Sequence, residues 1–136
     1  MSGDLRDRVL LVLDTESVDA EPERADMLDK ALMQIVRKFT GSLQEKVFIK
    51  RAYGPHRSVK FLNKLQGTAG WRLGGTGLEE DVVPYVRNDC KAFCLERPDA
   101  TTLILCFNRP EFIELVGVLD GAGVDVNVVR PTVKQR

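Results

Sequence analysis

Asp14 closes the apolar run Val9 to Leu13, and Glu111 stands four residues beyond a second run, Leu103 to Phe107. If both runs are strands of an open α/β sheet, each delivers a carboxylate to the crevice at the carboxyl ends of the strands, where ligands and metals bind. The second strand end also carries Asn108 and Arg109, where a fully equipped metal site would have more carboxylate. Arginine there is repelled by a divalent cation, although its planar fork suits a phosphate oxyanion.

The chain between these residues decides whether they can meet. Val9 to Leu13 is apolar without alternation, the pattern of a strand covered on both faces of a parallel sheet. Glu21-Pro22-Glu23 opens a helix in which Met27, Leu28, Ala31, Leu32, Ile35, Val36 and Phe39 recur at helical spacing, closed by Gly41. Lys46 to Ala52 reads as a less buried strand ending at Tyr53-Gly54. A second helix is predicted from about Arg57 to Leu65, broken by Gly67 to Gly70, and Trp71-Arg72-Leu73 as a short strand. Gly74-Gly75-Thr76-Gly77 lacks the lysine of a phosphate-binding loop and reads as a connector. Pro84 fits only the first turn of a helix, so the third is placed from near Asp81, with Val83, Val86, Cys90, Phe93 and Cys94 inward. Thr101 to Phe107 and Val124 to Val129 are the last strands, with a helix marked by Phe112, Leu115, Val116 and Leu119 between them. Five strands alternating with four helices predict a three-layer α/β domain with a mostly parallel sheet, the Val9 and Thr101 strands adjacent at its centre.

The 136 residues make one domain, with 1–7 and 131–136 as polar tails. Its 20 basic and 20 acidic residues cancel, so any nucleic-acid partner must use a local patch. Cys90, Cys94 and Cys106 are odd in number, poor material for a disulfide framework and ordinary in a reducing cytosol. No apolar run is long enough for a membrane span or a signal-peptide core, so the expected location is intracellular and cytoplasmic.

Asp14-Thr15-Glu16-Ser17 after strand one, Tyr53-Gly54 after strand two, and Leu105-Cys106-Phe107-Asn108-Arg109-Pro110-Glu111-Phe112 leading through a helix to Gly123-Val124-Asp125-Val126 form an ordered set. Over most of the chain this set resembles the NYN branch of the PIN-like nucleases. That family typically has Asp-Gly-x-Asn after strand one, a Val-Asp pair opening the third helix and Ser-Gly-Asp-Ser-Asp-Phe after strand four. Its clustered acids bind magnesium or manganese to cleave RNA. The resemblance implies a three-layer Rossmann-like PIN fold, with Asp14, Asp81 and Glu111 as catalytic acids and ligands of magnesium or manganese, and a metal-bound water as nucleophile. Ser17 falls where the family has asparagine, Asn108 where it has glycine, and Arg109 where it has the central aspartate. A further helical acid is replaced at Arg87, unless Asp89, two residues on, substitutes for it. The implied reading is an RNA-acting domain with weakened chemistry; its alternative is an inactive module that binds RNA or protein.

Simpler roles compete for the same residues. Asn108 and Glu111 have the spacing of a capping box with Pro110 in the first turn, and Asp81 has the position of an N-cap. Asp14 has no local cap to serve. Lys50, Arg51, His56, Arg57, Lys60 and Lys64 gather around Tyr53 as an expected face for single-stranded RNA, in which Arg51, Tyr53, Arg57, Lys60 and Arg109 make the contacts; the same charges also suit a solvated helix. A protein partner or a second copy of the chain remains open.

Overall fold

A computed structural model describes residues 8–18, 21–40, 47–54, 59–74 and 82–129. The strands are β1 (Arg8–Asp14), β2 (Val47–Tyr53), β3 (Arg72–Leu73), β4 (Thr101–Cys106) and β5 (Asp125–Val129). The helices are α1 (Ala25–Thr40), α2 (Val59–Ala69), α3 (Val83–Cys94) and α4 (Ile113–Gly121). The five strands lie in the order β3-β2-β1-β4-β5, and every pairing is parallel. The two most uniformly apolar strands are central neighbours, as their sequences predict: Val9 to Leu13 and all of β4 are buried. The predicted polar tails, 1–7 and 131–136, lie outside the described residues.

Alternation along β1 and β4 sorts their side chains between two helical layers. Leu11, Leu13, Ile104 and Cys106 pack with Leu28 and Leu32 of α1 and with Phe61, Leu62 and Leu65 of α2. Leu10, Val12, Leu103 and Leu105 pack with Val86 and Cys90 of α3 and with Leu115 and Leu119 of α4. Each such side chain removed from water contributes about 1.5–3 kcal/mol. Cys90 and Cys94, one turn apart, are wholly buried parts of the second layer.

The helix limits differ from the sequence expectation in instructive ways. Met27 and Ala31 of α1 face outward, because the stripe that meets the sheet is Ala25, Leu28 and Leu32. Helix α2 passes through Gly67 to Ala69; Gly70, at φ +74°, supplies the left-handed residue that ends it. Gly67 is tolerated mid-helix because α2 is held by its buried stripe rather than by intrinsic propensity. Helix α3 begins at Val83 after Val82, with Pro84 in the first turn.

Strand order reverses direction between β1 and β4, so the crevice of this sheet opens at their carboxyl ends. Register places Leu13 beside Cys106 and Asp14 beside Tyr53. Asp14, Phe107, Asn108 and Arg109 therefore converge there.

Candidate functional site

Asp14 is the last residue of β1 and is fully buried. A charged carboxylate in that position must have its oxygens satisfied or lose several kcal/mol in desolvation. It accepts four hydrogen bonds: Oδ1 from the Glu16 backbone N–H at 3.1 Å and Arg109 Nη2 at 2.9 Å, and Oδ2 from Ser17 Oγ at 2.8 Å and Arg109 Nε at 2.7 Å. The first makes Asp14 the N-cap of a 3-10 turn, Thr15–Ser17, that carries the chain away from the strand, so contrary to the sequence expectation this acid does serve a local cap. The Arg109 contacts are a parallel two-point fork, the strongest geometry available to a guanidinium and a carboxylate. Ser17 extends the link, its Oγ accepting the Asn108 backbone N–H at 2.8 Å. The ends of the central strands are thus tied by a continuous polar chain.

Arg109 is held from several sides. Its guanidinium carbon lies 5.5 Å from the centre of the Phe112 ring, which meets Phe107 edge-on with centroids 5.0 Å apart. Partial burial disfavours its charge, but the hydrogen bonds it donates to Asp14 and the negative charges of Asp14, Glu111 and Glu16 outweigh that and raise its pKa. The acids at this end of the sheet therefore surround a permanent cation. Two lone pairs on each Asp14 oxygen are already used, so a metal ion can reach this carboxylate only by displacing one of these donors and must approach beside the Arg109 charge.

The other expected site residues separate. Glu111 is exposed in the Pro110–Phe112 3-10 turn. Its alternative role in a capping box with Asn108 is not realised: Arg109 is the N-cap residue, and no side chain caps the turn. Asp81, Arg57 and His56 lie outside the described residues. Among the described residues, no three of His, Cys, Asp and Glu are grouped so as to hold a metal ion.

The expected nucleic-acid face is split by strand alternation. Lys50 points to the α1 layer, where it donates to Asp29 at 2.9 Å, and Asp29 also accepts Trp71 Nε1 at 2.8 Å. Tyr53 is only 1% exposed and donates its hydroxyl to Asp89 at 3.0 Å, so it offers no stacking surface. Burial, the Cys90 and Asp89 charges and this bond raise its pKa, with Arg51 opposing. Gly74 packs on the Tyr53 ring so closely that an added Cβ would lie 2.8 Å from Cε2; this glycine is a packing requirement rather than part of a loose connector. Lys60 and Lys64 are exposed on α2.

The sequence reading placed Arg109 at the site but missed that its partner is Asp14. The available signal was an acid and an arginine at the ends of two adjacent buried strands, a pair that burial forces together. Comparison with known proteins finds no matching protein-family model, no matching curated protein and no matching solved structure.

Proposed function

We propose that this chain is a PIN-like module of the NYN type that binds without cleaving, with the Arg109 guanidinium in the place of the divalent ion. The observation that carries the reading is the two-point fork between Arg109 and buried Asp14. A guanidinium can neutralise a carboxylate, but it cannot lower the pKa of a bound water or bridge to a scissile phosphate as a metal does. Replacing a metal-binding aspartate by arginine would thus preserve the fold's electrostatic balance while removing its hydrolytic step.

A protein partner is the better-supported ligand class. Of the residues expected to contact RNA, Arg109 is paired to Asp14 and Tyr53, the expected stacking residue, is buried, which leaves Arg51, 4.0 Å from Asp89, and exposed Lys60 as the described cations of that face. In contrast, Ile113 is 60% exposed at the start of α4. A cleft of about 160 Å³ lined by Phe107, Asn108, Arg109, Pro110 and Ile113 opens beside the fork, of a size to take one side chain. Among the described residues no helix is long and apolar enough to cross a membrane.

Labelled single-stranded RNA incubated with manganese and the native chain tests this reading, with both cleavage and retention measured. The expected result is neither, together with a melting temperature that manganese leaves unchanged. In Arg109→Asp, an acid is restored beside Asp14 and manganese should raise the melting temperature by mass action. Manganese-dependent cleavage by the native protein that Asp14→Asn abolishes would overturn the proposal.

A further inference from the structure

Arg51 and Arg72 are in-register partners across the short pairing of β2 and β3. Residues so paired project from the same face of the sheet, with backbones about 4.8 Å apart, and like charges in that relation destabilise the pair. Their surroundings do little to relieve it. Asp89 Oδ2 is 4.0 Å from Arg51 Nη1 and already accepts the Tyr53 hydroxyl. No acidic partner stands against Arg72 among the described residues, and the Arg51 Nε is buried with no acceptor. Both arginines line a cleft of about 540 Å³ completed by Gln66, Gly70, Trp71 and Leu73, within the size range of small-molecule sites.

We propose that this cleft binds a phosphate monoester dianion between Arg51 and Arg72. Two arginines in register that line one cleft call for two negative charges, and a tetrahedral oxyanion can present a separate pair of oxygens to each fork. Gln66 supplies an amide that can donate to a third oxygen. A single phosphate group fits better than a run of them, because Lys50, the next basic residue along β2, is turned to the opposite face and tied to Asp29. The site lies at the outer edge of the sheet, away from the β1–β4 crevice, and the inference is independent of the PIN-like reading.

The test is titration of the full chain with inorganic phosphate and, separately, with adenosine 5′-monophosphate, against chloride at matched ionic strength. Saturable heat and a rise in melting temperature are expected with at least one of the two. Tighter binding of the nucleotide would mean that the phosphate arrives on a larger body; equal binding would mean that the group alone is recognised. Arg72→Gln alters an exposed side chain and is expected to weaken binding at least tenfold. The same variant should melt higher than the native chain in chloride alone, because the cross-strand repulsion is gone, a gain that a merely structural arginine would not give. No saturable response from the native chain, or an Arg72→Gln variant with unchanged affinity, would overturn the proposal.

Discussion

Two regions of this sheet place arginine at or near strand ends, and they treat it in opposite ways. At the centre, Arg109 meets a buried carboxylate at 2.7 and 2.9 Å in a complete fork. At the edge, Arg51 and Arg72 face one another across a two-residue pairing, with the nearest acid among the described residues 4.0 Å from Arg51. The difference follows from the sheet. The β1–β4 crevice is enclosed, so a charge there must be matched within the protein, whereas the β2–β3 edge is open enough for water to carry an unmatched one. A satisfied arginine is thereby part of the architecture, and an unsatisfied one is available to a ligand.

The largest effect should come from breaking the central fork. Arg109→Met would strand the Asp14 charge in the interior and cost about 3–5 kcal/mol in chemical denaturation. A double-mutant cycle on Asp14 and Arg109 should return a large coupling, against about 0–1 kcal/mol for Arg51 and Asp89 at the edge. Equal couplings would erase the contrast between the two regions.

Alkaline pH probes how dry the interior is, beneath the central fork at Cys106 and in the α3 layer at Cys94. Burial, and then the Asp14 charge, pushes the Cys106 thiol from an ordinary 9.0 to about 12. Burial does the same for Cys94, to about 12, with Arg8 opposing. Above pH 9 the unfolded chain releases thiol protons that the folded chain retains. The unfolded state then binds fewer protons, so stability must fall as pH rises from 9 towards 12, by up to about 1.4 kcal/mol per pH unit for each thiol. Denaturation midpoints across that range, compared with a Cys106→Ala variant, read the slope. A slope unchanged in the variant would show that Cys106 is not protected.

Gly74→Ala tests the edge from its packing side. The new methyl would press on the Tyr53 ring, which the Asp89 bond holds in place, and should cost about 1–3 kcal/mol. The smallest effect is expected at Gly67, where an added methyl meets no atom within 4 Å; Gly67→Ala should stabilise α2 by about 0.5–1 kcal/mol in thermal melts.

Much of the fold was legible from residue order. Hydrophobic patterning marks β1 and β4 as buried on both faces, and a strand so covered has no place at the edge of a three-layer sheet, so their central pairing follows directly. Proline at 84 and 110 and glycine at 70 and 123 act through local backbone geometry, so they place helix ends to within a few residues. What Gly67 does was not legible, because propensity is local and the burial of Phe61, Leu62 and Leu65 that overrides it is not. The site divides along the same line. The sequence alone put Asp14 and Arg109 at the ends of two strands. Only the parallel register of β1 against β4 brought the guanidinium onto the carboxylate, and only the alternation of β2 turned Lys50 and Arg51 to opposite faces of the sheet. The second follows from alternation once a strand is assigned there; the first could not be read along the chain, because electrostatic pairing depends on distance through space between residues here separated by 95 positions in sequence.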